Sequence, residues 1–82
     1  MEDLLRTLSD YQIEAMGKGI NFDLDVYYNS EKVPSVDVKM SYSLAQSGFA
    51  EARNLNVTFS EKMVKDKRNH RINAIVNFIQ SI

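Results

Sequence analysis

Ile20-Asn21-Phe22-Asp23-Leu24-Asp25-Val26-Tyr27-Tyr28-Asn29 alternates apolar with polar residues, Tyr27 being the one break in the polar set. A period of two places Ile20, Phe22, Leu24, Val26 and Tyr28 on one face of a strand. Asn21, Asp23, Asp25, Tyr27 and Asn29 take the other face. Residues 35–44 repeat the pattern, with Val36, Val38, Met40, Tyr42 and Leu44 against Ser35, Asp37, Lys39, Ser41 and Ser43. Ser30-Glu31-Lys32-Val33-Pro34 separates the two runs and reads as a hairpin loop. A hairpin centred on Lys32 pairs Tyr28 with Val36, Val26 with Val38, Leu24 with Met40, and Phe22 with Tyr42. It also sets Asp25 opposite Lys39, a favourable cross-strand pair. A slip of one residue would put apolar groups opposite polar ones throughout.

Working outward, residues 50–59 predict a third strand, with Leu55, Val57 and Phe59 inward and Asn54, Asn56 and Thr58 outward. A two-residue turn at Ser47-Gly48 pairs Met40 with Leu55, Val38 with Val57, and Val36 with Phe59. Glu51 and Arg53 then fall on the inner face near one end, beyond the helices or turned out by a bulge. Residues 2–16 predict a helix, with Leu4, Leu5, Leu8, Tyr11, Ala15 and Met16 on one stripe and Ile13 off it. Glu2 and Asp3 suit its first turn, and Gly17 its left-handed C-terminal cap. Residues 61–81 predict a second helix, with Ser60 as N-cap and Glu61 in the first turn. Its inner stripe is Val64, Arg68, Ile72, Ile75, Val76 and Ile79; Asp66, Asn69, Asn73, Asn77 and Gln80 form a polar stripe. The expected fold is α+β, a helix, a three-stranded antiparallel meander and a helix (αβββα), with both helices on one sheet face. The other face is left polar and open.

The totals fit one domain over residues 1–82. A chain this short buries only about 60% of its unfolded surface, which leaves little for a walled active site. Hydrophobic residues make up 44% and charged residues 26%, values of an ordinary globular protein rather than a disordered one. The absence of cysteine excludes disulfides, thiolate metal sites and a thiol nucleophile. The uncharged stretch Ile72–Ile82 is too short to span a bilayer, and the acidic start Met1-Glu2-Asp3 does not resemble a signal peptide. A cytoplasmic location with no membrane contact is expected. The net charge of −1 hides an asymmetry: residues 1–60 hold five basic and nine acidic side chains, residues 61–82 five basic and two acidic.

No catalytic set assembles. His70, the only histidine, sits among cations in Lys65-Asp66-Lys67-Arg68-Asn69-His70-Arg71 and reads as a surface residue. Asp23 and Asp25 share a strand face roughly 6.5–7 Å apart, with Asp37 on the next strand. Oxygen ligands so placed suit a divalent cation, but there is no glycine-rich ligand loop, and a solvated polar face is the expectation. An open sheet offers no cleft to raise one carboxyl pKa for glycosidic acid–base work. Gly17-Lys18-Gly19 matches no phosphate-cradling fingerprint. No cofactor and no metal are expected. Tyr27, amid Asn21, Asn29, Asn54 and Asn56, reads as a binding tyrosine or a cross-strand packing residue. Ala74 and Phe78 lie off the inner stripe and would cover a sheet edge or serve self-association.

Lys62, Lys65, Lys67, Arg68 and Arg71 open the second helix, where the helix dipole does not favour cations, and they would suit phosphates. Ser60, Lys62 and Lys65, with the order helix-strand-strand-strand-helix, resemble the double-stranded RNA-binding domain and its Ser-Lys-Lys-x-Ala-Lys run. Glu61 stands where that family has its first lysine, and the family's alanine run and its glycine- and histidine-bearing hairpin loop are absent. In size, composition and lack of cysteine the chain is similar to small inhibitors of bacteriophage origin, including anti-CRISPR proteins. The reading is a non-enzymatic protein-binding module, an inhibitor of a nucleic-acid-handling protein, with Asp23, Asp25, Tyr27 and Asp37 as contacts. The alternative is an RNA- or DNA-binding protein using the basic run. A protein partner is expected first, with nucleic acid and a homodimer as the other partner classes.

Overall fold

The structure, a computed structural model, describes residues 1–46 and 49–82. Its elements are α1 (Glu2–Gly17), β1 (Asn21–Tyr28), β2 (Pro34–Gln46), β3 (Phe49–Ser60) and α2 (Lys65–Gln80). The strands form one antiparallel sheet in the order β1-β2-β3. The α+β architecture is the one the alternation predicts.

The sheet's inner face carries Phe22, Val36, Val38, Met40 and Phe59, and these form one buried cluster with Leu4, Leu8 and Ala15 of α1 and Ile75 and Ile79 of α2. Phe59 is fully buried, and withdrawing such a side chain from water contributes roughly 1.5–3 kcal/mol. The helices run in the same direction. Asp3 of α1 and Arg68 of α2 line one crevice near the helix starts. At the other end Lys18 Nζ donates to the Ile79 carbonyl at 3.0 Å. Neither helix has a basic residue in its last turn. Lys18, and Arg53 from β3, which donates to the Ser81 carbonyl at 3.2 Å and to its Oγ at 3.0 Å, supply cations at the negative end of α2 instead.

The β2–β3 register is the expected one: Met40 faces Leu55, Val38 faces Val57 and Val36 faces Phe59. The expected turn at Ser47-Gly48 lies outside the described residues. The β1–β2 register differs from expectation by two residues. Phe22 faces Met40, Leu24 faces Val38, Val26 faces Val36 and Tyr28 faces Pro34, so the hairpin centres on Glu31 rather than Lys32. Asn29 is the cause. Its Oδ1 accepts from the Glu31 and Val33 amides at 2.9 and 3.1 Å, and its own amide donates to the Val33 carbonyl at 3.0 Å. Lys32 takes the left-handed conformation (φ 60°) that the tight turn requires.

Further corrections concern the ends of elements. α1 runs through Gly17, and the left-handed residue that redirects the chain into β1 is Gly19 (φ 79°). Met16, expected on the inner stripe, is 63% exposed on the last turn, where the sheet no longer faces it. Ser60 is the last residue of β3, paired with Ser35, rather than a helix N-cap. The Glu61 amide continues the ladder to the Pro34 carbonyl at 3.0 Å, and a turn from Ser60 to Met63 follows. α2 therefore starts at Lys65 behind an extended Val64, which is exposed rather than part of the inner stripe. Phe78 packs against the core, from the flank of the stripe, so it covers core rather than standing off it.

β2 and β3 continue together past the start of β1, which gives the molecule its length of 47 Å against widths of 22 and 19 Å. No bulge interrupts their pairing in the described residues. Glu51 and Arg53 lie on the inner face beyond α2 and form a salt bridge at 2.7 Å. No helix is long and apolar enough to cross a membrane among the described residues.

Candidate binding surfaces

Strand alternation and pairing together build the open face of the sheet. Asp23, Asp25 and Tyr27 come from β1, Asp37, Lys39 and Ser41 from β2, and Asn54, Asn56 and Thr58 from β3. The corrected register changes its electrostatics. Asp23, not Asp25, stands opposite Lys39, and Asp25 stands directly opposite Asp37. Like charges in that relation repel. The only salt bridge among the described residues is Arg53 with Glu51, so neither aspartate has a cation within salt-bridge distance.

Asp37 is held by hydroxyls instead. Thr58 Oγ1, directly across on β3, donates to Asp37 Oδ1 at 2.6 Å, and Tyr27 Oη donates to the same oxygen at 3.3 Å. Partial desolvation raises the Tyr27 phenol above its ordinary value of 10.0. The charge of Asp37, the hydrogen bond to it and the charge of Asp25 raise it further. Tyr27 is half-buried, and the residue it pairs with, Ser35, is fully buried. Tyr27 is thus a half-buried cross-strand residue that also hydrogen-bonds into the acidic cluster. Thr58 is the member sequence reading missed as a cluster residue; its outward position opposite Asp37 in the β2–β3 register was the available signal.

Asp23 borders a shallow depression of about 290 Å³ with Lys39, Ser41, Asn54 and Asn56. Met40 and Leu55 complete its lining. No three histidine, aspartate or glutamate side chains converge as a metal-binding group among the described residues.

The basic run does not form one surface. Lys62 precedes α2, and Lys65, Lys67, Arg68 and Arg71 lie within its first two turns. At 3.6 residues per turn, Lys65 and Lys67 point about 160° apart. Arg68 turns inward and half-buries in the crevice between the helices with Asp3, Leu4, Thr7, Asn69 and Ile72. Arg71 is half-buried on the opposite flank and donates to the Thr58 carbonyl of β3. Lys62 and Lys67 line a second depression beside Arg71, with Ser60, Met63 and Val64. The helix start shifts as well: Ser60 and Lys62, two of the three residues that resemble the double-stranded RNA-binding run, precede the helix rather than open it. His70 is exposed.

Comparison with known proteins adds nothing to this geometry: no family model, no curated protein and no solved structure matches the chain.

Proposed function

We propose that this chain is a non-enzymatic protein-binding module that presents its open sheet face to a basic surface of a partner. The observation that carries the reading is Asp25 facing Asp37 with no cation within salt-bridge distance of either. Carboxylates so opposed weaken the sheet slightly, and a cation from outside relieves the repulsion. Asp23, the half-buried Tyr27 and the hydroxyl of Thr58 extend the same surface. Spaced carboxylates on a rigid sheet resemble a run of phosphates in charge. The partner class we infer is accordingly a nucleic-acid-handling protein whose binding groove is basic, and the action is inhibition by occupancy of that groove, as in phage-borne inhibitors of the anti-CRISPR kind.

The test is a pull-down from host lysate, with and without nuclease, comparing the wild type with Asp23→Lys/Asp25→Lys. Both side chains are exposed, so the fold tolerates the change. A nuclease-resistant protein captured by the wild type and lost from the double variant is expected. Capture that survives the double change removes the acidic face from consideration. Material that vanishes with nuclease favours the alternative of nucleic-acid binding, for which Lys62, Lys67 and Arg71 are the cations gathered around one depression.

A further inference from the structure

We propose that the outer edge of β1, over Leu24, Val26 and Tyr28, accepts an added strand from the partner, one in which lysine or arginine alternates with apolar residues. This deepens the acidic-face reading and rests on it.

The backbone supplies the first argument. In an antiparallel pair the residues alternate, one pointing both its N–H and C=O at the neighbour and the next pointing both away. The Asn29 amide bonds to the Val33 carbonyl, so the odd-numbered residues of β1 face β2 and the even-numbered ones face outward. The Phe22 carbonyl agrees, since it accepts from Gln12 Nε2 of α1 at 2.9 Å. α1 thus closes the edge at Phe22. At Leu24, Val26 and Tyr28 no hydrogen bond reaches the outward backbone groups among the described residues. The sheet ends at β1, so these groups are a template for another strand.

The side chains say which strand fits. Val26 and Tyr28 lie on the inner face of the sheet yet are 56% and 74% exposed, because the helices do not cover that corner. Alternate apolar side chains of an added strand would bury them. On the opposite face the same strand would meet Asp23 and Asp25, which are exposed, so its other residues should be cationic. A second copy of β1 fits less well: self-pairing centred on Leu24 or Asp25 sets aspartates opposite one another, and even the register centred on Val26 gathers four aspartates on one face with no cation supplied. The other edge of the sheet lacks these features. Arg71 already occupies the Thr58 carbonyl there, and the outward side chains of β3 at that edge include neutral Asn54 and Asn56.

The experiment uses a short capped peptide alternating lysine with valine, a block peptide of the same composition, and an alternating glutamate–valine peptide. Binding and residue-resolved amide exchange are read by NMR on the full chain. The alternating lysine peptide should bind and slow exchange of the Leu24, Val26 and Tyr28 amides about tenfold or more, while the other two should not. Val26→Pro removes one outward N–H at a position where an edge strand admits proline, and should weaken binding about tenfold. Asp23→Lys/Asp25→Lys should abolish it. Binding that spares the three amides, or that Val26→Pro leaves unchanged, overturns strand addition while the acidic-face reading stands. Binding indifferent to the aspartates overturns both. Protection of the same amides without peptide, rising with protein concentration, would identify a second copy as the occupant and also overturn the proposal. The exchange data on the wild type decide the matter even if the proline variant fails to fold.

Discussion

Asp23, Asp25 and Asp37 come from two strands and share one surface, whereas Lys62, Lys65, Lys67, Arg68 and Arg71 are near neighbours in the chain and do not. The difference lies in the periods of the elements that carry them. A strand returns to the same face every second residue, and antiparallel pairing brings the matching face of the next strand alongside. A helix advances about 100° per residue, so a contiguous basic run is dealt around the cylinder. Arg68 goes to the crevice with α1, Arg71 to the edge of β3, and Lys65 and Lys67 to opposite flanks. Charge density along a sequence therefore measures a surface only after the period of its element is known.

The sharpest way to break the comparison is at Arg71. If its role is to close the edge of β3, Arg71→Met should destabilise the fold by about 0.5–1.5 kcal/mol through the lost hydrogen bond to the Thr58 carbonyl. Lys67→Met, exposed on the same flank, should stay within about 0.5 kcal/mol of the wild type. Urea unfolding of both variants decides this. Equal, negligible effects would return Arg71 to the pool of free cations and strengthen the nucleic-acid alternative.

A smaller effect of opposite sign is expected on the acidic face. Asp25→Lys replaces a repulsive cross-strand pair with an attractive one and should stabilise the protein by about 0.2–1 kcal/mol. The same change should weaken partner capture. Gain of stability with loss of binding is the signature of a residue retained for a contact rather than for the fold. Loss of stability would mean that Asp25 and Asp37 do not oppose each other as the register has it.

That register also shows where sequence reading stops. Alternation identified all three strands and which face of each is apolar, because a slip of one residue is ruinous. A slip of two keeps every face, and apolar pairing alone cannot detect it. Asn29 held the missing information, since an asparagine at a strand end tends to bond the backbone two residues on and so draws the turn tighter. Between β2 and β3 the expected pairs hold. The start of α2 lies later than its capping residues imply for a related reason. Ser60 and Glu61 carry good helix-capping chemistry, but Ser60 is still in the sheet opposite Ser35, and the Glu61 amide is bonded to the Pro34 carbonyl. The candidate acidic residues were legible individually; the opposition of Asp25 to Asp37 was not, since it depends on the β1–β2 register, whereas Thr58 could have been placed from the β2–β3 register alone.

The smallest effect is a titration, and it tests the same register from within. The Tyr27 phenol sits above 10.0 because partial desolvation, Asp37 and Asp25 all disfavour the phenolate. In the unfolded chain these influences vanish, so the unfolded state loses its proton first as pH rises. The contribution of Tyr27 to stability is therefore complete below pH 10.0 and is lost as pH climbs from there through the folded value. Asp37→Asn removes one charge and its acceptor carboxylate, leaving desolvation and Asp25, and should bring the Tyr27 midpoint down part of the way. Asp25→Asn should lower it less, because the charge of Asp25 is the weakest of the four influences. Tyrosine ring resonances followed by NMR through the alkaline range separate these outcomes. An Asp25 effect larger than that of Asp37 would move Tyr27 closer to its own strand neighbour and away from the Thr58–Asp37 cluster, and the acidic face would have to be redrawn around β1 alone.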